Sequence, residues 1–111
     1  ERKRIAKIYY AQINNPKIIL PKYTEENVYH IFPVLCNERD KLKLYLENKG
    51  VYALIHYPTA IHLQKAYKDY GKKQGDYPIA ESICARELSI PLYPGLTENE
   101  IQYIVDCLNH F

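Results

Sequence analysis

The stretch "PGLTENEIQYIVDCLNHF", residues 94–111, carries the clearest local signal for secondary structure in the chain. Thr97 followed three positions later by Glu100 is the pattern of a capping box, in which each side chain accepts a hydrogen bond from the other residue's main-chain N–H. Leu96 and Ile101 have the spacing of a hydrophobic staple across that cap. Apolar residues continue with helical period through residue 108. The stretch therefore predicts a helix that begins after Thr97 and buries one face.

Two helices are predicted in the first half of the chain. Residues 1–15 repeat apolar side chains with helical period and end in an Asn-Asn-Pro sequence. Residues 38–49 follow Asn37 and Asp40, which resemble a capping box, and Gly50 stands where a helix commonly ends. Both segments offer an apolar stripe to a common core.

Two shorter helices are predicted between residues 58 and 88. The first follows Pro58 and ends at Gly71. The second is capped by Asp76, has Pro78 in its first turn and keeps its residues in helical register as far as Leu88. On this interpretation the residues just before Leu88 lie inside a helix.

Three runs rich in β-branched and aromatic residues are predicted to be strands: residues 17–21, 28–35 and 51–57, the last of them buried. Pro33 cannot donate to a neighbouring strand, so its strand lies at an edge or turns that side outward. With five helices, these runs predict a single domain over residues 1–111. Its expected class is α/β, in the α+β two-layer form, with a small antiparallel or mixed sheet backed by helices.

Composition narrows the classes of function. Hydrophobic residues make up 47% of the 111 positions and charged residues 25%, which is typical of a folded soluble domain. A net charge of +2 without a basic stripe gives no reason to expect a nucleic-acid or membrane partner. Three cysteines without a CxxC pair argue against a disulfide framework and indicate the cytoplasm. Methionine is absent, so we expect the chain to be a piece of a longer protein.

The stretch "VYALIHYPTAIHLQKAY", residues 51–67, places two of the four histidines, His56 and His62, six positions apart. One interpretation is structural: one imidazole packs at the end of a strand and the other pairs locally. The other interpretation is that His56, Tyr57 and His62 meet at the edge of the sheet, where α/β proteins commonly bind ligands. Such a trio offers hydrogen-bonding groups suited to phosphate or sugar hydroxyls.

Neither a metal centre nor a catalytic group is predicted. Two histidines six positions apart across a proline do not match the short spacing of zinc ligands. A third ligand such as His30 or Cys84 would be needed, and nothing in the sequence places it. The chain contains no nucleophile elbow, phosphate-binding loop, dinucleotide fingerprint or metalloprotease motif.

Several segments, taken in order, resemble one known family. They are "RKRIAKIYYAQI" (2–13), "ERDKLKLYLENKGVYALIHYPTAIHLQKAY" (38–67) and "GDYPIAESICARELSIPLYPGLTENEIQYIV" (75–105). The order HYP, HLQ-x-AY, GD-x-P-x-AE and PLYPGLT is similar to that of the C-terminal domain of nucleotide-sugar aminotransferases dependent on pyridoxal phosphate (PLP), the DegT/DnrJ type. The likeness covers nearly the whole chain and is weakest across residues 14–27.

This resemblance implies the C-terminal small domain of a fold-type I aminotransferase, with residues 1–15 as an interdomain helix. PLP would be bound mainly by an absent N-terminal domain that also supplies the catalytic lysine, so this fragment alone would be inactive. The intact enzyme would be a homodimer that transfers an amino group, from a donor such as glutamate, to a keto-sugar nucleotide. The segment "IHYPTAIHLQ" is closer to that of members acting on dTDP-3-keto-6-deoxyhexoses, in sugar or polysaccharide biosynthesis, than to that of the 4-keto enzymes.

The family's motifs also imply roles for individual residues. His56, Tyr57 and His62 match the loop that approaches the nucleotide-sugar, and we expect them to bind it. Gln64 is expected to support that loop, and Glu81 to satisfy main-chain or arginine partners. The alternative is a stand-alone, non-catalytic module that binds a ligand or a protein. A large exposed apolar face would favour the aminotransferase over the module.

Overall fold

The computed structural model describes all 111 residues and folds them around a two-stranded antiparallel sheet. Four α-helices, two strands and two 3-10 turns follow one another along the chain. They are α1 (Arg2–Gln12), β1 (Phe32–Leu35), α2 (Arg39–Asn48), the 3-10 turns Ile61–Leu63 and Lys65–Tyr70, α3 (Pro78–Arg86), β2 (Glu87–Ile90) and α4 (Glu98–Asn109). The expected fold class, a small sheet with helices, is confirmed.

Helix α4 is built as its sequence predicts. The Thr97 hydroxyl accepts from the Glu100 N–H, and the Glu100 carboxylate accepts from the Thr97 N–H at 2.8 Å, which completes the capping box. Hydrogen bonds from Thr97 lower the pKa of Glu100, and the bond from its main-chain N–H has the larger effect. The inner face of the helix is buried through Ile101, Ile104, Val105, Cys107 and Leu108. Local sequence and tertiary packing therefore agree over this element.

Replacing Thr97 by alanine should lower the free energy of unfolding by about 1 kcal/mol, because the N–H groups at the start of α4 lose their side-chain acceptor. Urea denaturation followed by circular dichroism measures the change. Thr59→Ala is the matched control, since Thr59 is exposed and its hydroxyl makes no hydrogen bond. A loss no larger than that of the control would show that the cap does not stabilise α4.

The core lies between α1, α2, α4 and one face of the sheet. Each of these elements contributes at least one fully buried side chain. These side chains include Tyr9 from α1, Phe32 from β1, Leu42 and Leu46 from α2, Leu88 from β2 and Leu108 from α4. No helix combines the length and the apolar composition needed to cross a bilayer.

Strand β1 is the last part of the predicted run 28–35, and it pairs antiparallel with β2 so that Pro33 lies opposite Ser89. Leu35 directs its N–H and C=O away from β2, to Ile19, at 2.9 and 2.8 Å. Main-chain groups two residues apart in a strand point to the same side, so the missing N–H of Pro33 also lies on the side away from β2. Pro33 therefore costs no hydrogen bond to β2, and on its own side β1 has only the bridge to Ile19.

The other two predicted strands are reduced to single bridges. In the first run only Ile19 pairs, and within residues 51–57 only Leu54, which exchanges two hydrogen bonds with Ser89. The prediction of a fully buried strand at 51–57 is wrong, because Tyr52 and Leu54 face solvent while Val51 and Ala53 are buried. This alternation is the pattern of a strand with one face on the core.

Helix α3 ends at Arg86, so the prediction of a helix that continues to Leu88 is wrong. From Glu87 onward the chain is extended and pairs with β1, Leu88 opposite Val34 and Glu87 opposite Leu35. The partner strand lies about fifty positions earlier in the chain. The residues between Arg86 and Leu88 carry no local signal that a strand begins there. Long-range pairing has overridden helical register here.

Two predicted helix caps are also wrong. Helix α2 begins after Glu38 and α3 after Tyr77, with no side-chain cap on either. Asp76 instead accepts from the main-chain N–H three residues earlier, at 3.0 Å. The short helix expected before Gly71 consists of 3-10 turns, and it ends where predicted, with Gly71 in the left-handed conformation at φ 66°.

Candidate functional site

Residues 57–86 form a long, weakly buried segment in which only Ala60 is buried. This segment and the end of the 51–56 stretch surround a cavity of about 780 Å³. Four tyrosines lie in its wall together with two histidines and a lysine, and they are Tyr57, Tyr67, Tyr70, Tyr77, His56, His62 and Lys72. The volume lies within the range of small-molecule sites.

The three residues predicted to bind a ligand all line this cavity. The rings of His56 and Tyr57 meet edge to face at 5.5 Å between centroids, and Tyr57 is largely exposed. The ring of His62 packs edge to face on Tyr77 at 4.8 Å. The loop thus places the three side chains around one space, and their role in binding stays a prediction.

Glu81 of α3 holds the ring of His62. Its Oε1 lies 2.9 Å from His62 Nε2 and accepts the N–H groups of Gly75 at 2.9 Å and of Tyr77 at 3.3 Å. The Gly75 N–H above all, and then His62, hold the pKa of Glu81 below its usual value against the opposing effect of burial. The expectation that Glu81 satisfies main-chain partners is confirmed.

The bond to Glu81 also decides what His62 offers to a ligand. A carboxylate only accepts hydrogen bonds, so Nε2 of His62 carries a proton and Nδ1 of the neutral ring is an acceptor. Part of the structural interpretation of the two histidines therefore holds as well, because His62 pairs locally. The ligand-binding interpretation stays a prediction, and it would use the other nitrogen, Nδ1.

His56 rests on Glu87 and Ser89 of β2, which sequence reasoning did not single out for the site. Ser89 Oγ lies 3.0 Å from His56 Nδ1, and the Glu87 carboxylate accepts both from Ser89 Oγ at 2.5 Å and from the His56 N–H at 2.7 Å. The sequence feature that could have identified Glu87 is its place directly before the apolar run "LSIPL". Its assignment to a helix concealed that it alternates with Ser89 on one side of a strand.

Other side chains around the cavity have supporting or ambiguous roles. Gln64 donates to the Thr59 carbonyl at 3.4 Å, which fits its expected support of the loop. The ammonium of Lys72 lies over the ring of Tyr77 at 5.9 Å. No group of three His, Cys, Asp or Glu side chains is placed to hold a metal ion.

The cavity wall therefore combines tyrosine rings with two imidazoles. In each imidazole one nitrogen contacts a protein partner and the other makes no hydrogen bond within the protein. Aromatic faces pack against planar or sugar rings, and imidazole nitrogens exchange hydrogen bonds with hydroxyls. The arrangement suits a polar ring-containing ligand.

A model of the DegT/DnrJ/EryC1/StrS aminotransferase family matches residues 1–109. The chain belongs to this family. A relative from Aneurinibacillus thermoaerophilus, dTDP-3-amino-3,6-dideoxy-alpha-D-galactopyranose transaminase, is 36% identical over 112 aligned positions, which cover 99% of this chain and 30% of the relative. The chain thus spans about 30% of the length of the curated relative it matches, and residues 1–109 of it carry the family's pattern.

Two solved structures share the fold of this family member. DesV of S. venezuelae, in complex with a ketimine intermediate, superposes with a TM-score of 0.93 at 31% identity, covering 98% of this chain and 30% of DesV. NtdA of Bacillus subtilis, with its bound cofactor PMP, superposes with a TM-score of 0.84 at 29% identity, covering 98% of this chain and 27% of NtdA. The α+β fold described above is therefore that of part of a larger aminotransferase fold.

The residues that line this cavity do not by themselves make a site for PLP. That cofactor takes a lysine amine for its Schiff base and a charged partner for its pyridine nitrogen. The one lysine in the cavity wall, Lys72, lies on the ring of Tyr77, and the Glu81 carboxylate is occupied by His62 and two main-chain N–H groups. No step of a PLP reaction is therefore assigned to these side chains.

Proposed function

We propose that this chain is the C-terminal part of a PLP-dependent aminotransferase. The enzyme transfers an amino group, from a donor such as glutamate, to a keto-sugar nucleotide, a dTDP-3-keto-6-deoxyhexose, in sugar or polysaccharide biosynthesis. PLP and its lysine belong mainly to residues outside this chain, and the intact enzyme is a cytoplasmic homodimer. Family membership supports this proposal, as does the relative named for a dTDP-amino-dideoxy-sugar.

The observation that carries the proposal is the meeting of His56, Tyr57 and His62 around one cavity. In the proposed enzyme these three residues contact the nucleotide-sugar, with the imidazoles on polar groups and the tyrosine ring against a face of the ligand. The cavity is large enough for a sugar and part of its carrier. PLP would supply the chemistry of amino transfer, and these three residues would bind and orient the nucleotide-sugar.

Exposed apolar side chains around the cavity favour a domain that is covered by another part of the protein. Ile61 and Tyr70 of the cavity wall are 69% and 75% exposed. An apolar patch of this kind on a soluble protein marks an interaction surface more often than free surface. This supports the aminotransferase over the stand-alone module.

Replacing His56 or His62 by alanine in the intact protein should weaken nucleotide-sugar binding about tenfold each, because each loses roughly one hydrogen bond worth about 1.4 kcal/mol. Calorimetric titration with a dTDP-linked 6-deoxyhexose measures this affinity, and absorbance titration measures that of PLP. PLP affinity should change little. His30→Ala is the matched control, because His30 is exposed, makes no hydrogen bond and lies outside the cavity wall.

The pattern of losses decides between the proposals. Equal weakening of PLP and sugar binding, or of neither, would contradict the roles assigned to His56 and His62. A protein that binds the dTDP-sugar but never PLP would support the stand-alone binding module instead.

A further inference from the structure

Glu87 is a buried carboxylate beside the cavity, with only 2% of its surface exposed. A charge at such depth is tolerated only where hydrogen bonds replace its lost hydration. Both carboxylate oxygens have a donor: Oε2 accepts the His56 N–H at 2.7 Å, and Oε1 accepts the hydroxyl of Ser89 at 2.5 Å. The guanidinium of Arg39 donates to the main-chain carbonyl of Glu87 at 3.2 Å and leaves the carboxylate to these two donors.

The hydroxyl of Ser89 links Glu87 to the ring of His56. Serine has one hydrogen to donate, and here it goes to Glu87, because a carboxylate has none to give. At the 3.0 Å contact with His56 Nδ1 the serine oxygen must therefore accept, so Nδ1 carries the proton of the neutral ring. Ser89 is itself buried, which leaves little room for water to replace either bond.

The other ring nitrogen, Nε2 of His56, makes no hydrogen bond within the protein. The one buried side-chain polar atom without a partner in this fold is the hydroxyl of Tyr10, so Nε2 of His56 is not sealed from solvent. His56 lines the cavity, so this nitrogen is available to a ligand bound there.

We infer that Glu87 is a positioning residue that acts through Ser89 on His56, so that the imidazole meets its ligand with Nε2 as a hydrogen-bond acceptor. The group it recognises is then a donor, such as a sugar hydroxyl, and not a bare phosphate oxygen. That assignment of the ligand rests on the proposed function, whereas the position of the proton on the ring does not. Glu87 and Ser89 thereby determine which kind of ligand group His56 recognises.

Glu87→Gln tests the inference with almost no change of shape. The glutamine carbonyl can still accept from the His56 N–H, but its amide now donates to Ser89 Oγ. The hydroxyl must then turn and donate to His56 Nδ1, which moves the ring proton to Nε2. The substitution should convert the open nitrogen from an acceptor into a donor.

Nitrogen-15 NMR of the intact protein, labelled in its histidine rings, measures the tautomer at about pH 8.5, where an ordinary imidazole is neutral. The signal of His56 is identified by its loss in His56→Ala. The wild-type protein should carry the proton on Nδ1, and Glu87→Gln should carry it on Nε2. A wild-type proton on Nε2, or the same tautomer in both proteins, would overturn the inference.

Two serine variants cover the case in which Glu87→Gln fails to fold. Ser89→Thr keeps the hydroxyl and should keep the Nδ1 proton, whereas Ser89→Ala breaks the link and should give a mixture of tautomers. A single Nδ1–H tautomer in Ser89→Ala would overturn the inference, because the ring would then need no link to Glu87.

Affinity for the dTDP-linked 6-deoxyhexose separates this inference from the proposed function. If the proton moves in Glu87→Gln and affinity falls about tenfold, both stand. If the proton moves and affinity is unchanged, the positioning role of Glu87 stands and the assignment of a hydrogen-bond donor of the ligand to Nε2 of His56 fails. If affinity falls while the tautomer stays, the positioning role is overturned.

Discussion

Phe32→Ala is expected to lower the free energy of unfolding by about 3 to 5 kcal/mol. Phe32 is fully buried and packs against three tyrosine rings. The distance between ring centroids is 5.1 Å to Tyr9, 5.2 Å to Tyr10 and 6.2 Å to Tyr29. Its side chain thus joins β1 to α1 and to the loop before β1. Deleting the ring removes buried apolar surface and leaves a cavity that three large rings cannot easily fill.

Urea denaturation of Phe32→Ala measures this loss, with the slope of the transition as a check that the unfolded state is unchanged. Val28→Ala is the control, since Val28 is 69% exposed and should change stability by less than about 0.5 kcal/mol. Phe32→Leu, which keeps most of the volume, should lose only part of the stability and remains measurable if the alanine variant does not fold. A loss below about 1 kcal/mol for Phe32→Ala would show that this aromatic cluster is not part of the core.

Glu81→Gln is expected to release the segment from residue 71 to 77 and to remove a pH-dependent part of the stability. Glu81 accepts the N–H groups of Gly75 and Tyr77 and contacts His62 Nε2. The folded protein holds the pKa of Glu81 below its usual 4.5, chiefly through the Gly75 N–H. A lowered folded-state pKa means that the ionised group favours the folded state, so this stabilisation is present above about pH 4.5 and is lost as pH falls below it.

Thermal unfolding from about pH 7 to pH 3 measures the effect as the difference between wild type and Glu81→Gln. The difference should be largest near neutral pH and should shrink below about pH 4.5, where the wild-type carboxylate is protonated. Comparing two proteins removes the contribution of the other carboxylates, which titrate in both. Glu47→Gln on α2 is the control, because the Glu47 carboxylate bonds only to Lys43 and lies outside the cavity wall. A difference that stays constant over the whole range would contradict the assigned role.

Amide exchange gives an independent measure of the same contact. In Glu81→Gln the N–H groups of Gly75 and Tyr77 should exchange roughly tenfold faster. The glutamine amide that replaces their carboxylate acceptor carries no charge and can turn away from them. Amides of α4 should keep their rates, since Glu81 touches none of them. Faster exchange throughout the chain would instead mean that Glu81 contributes to the core.

Local signals predicted the helices best. Thr97 and Glu100 satisfy each other within four residues of chain, and Gly71 ends its turn in a conformation that glycine adopts freely, so neither depends on a distant partner. The caps expected at Asn37 and Asp76 failed because each helix begins one residue later, with no side-chain cap, and Asp76 accepts from the Lys73 N–H instead. A capping pattern with both reciprocal bonds available was the more reliable one.

The sheet was harder to predict, because a strand exists only where a partner lies. Residues 51–57 have the composition of a strand, yet only Leu54 finds a bridge, while Glu87 continues a helical pattern and is extended because β1 lies beside it. Both outcomes depend on contacts more than thirty positions away. Periodicity along the chain does not contain that information.

The amino-acid sequence by itself determined that this chain carries helices α1, α2 and α4, that His56, Tyr57 and His62 stand on one loop, and that its motifs are those of one aminotransferase family. Those features depend on neighbouring residues or on the order of short motifs. Only the tertiary structure decided which nitrogen of each imidazole is free, because Glu81 for His62 and Glu87 with Ser89 for His56 come from segments nineteen or more positions away. A hydrogen bond depends on distance in space, and folding alone sets that distance.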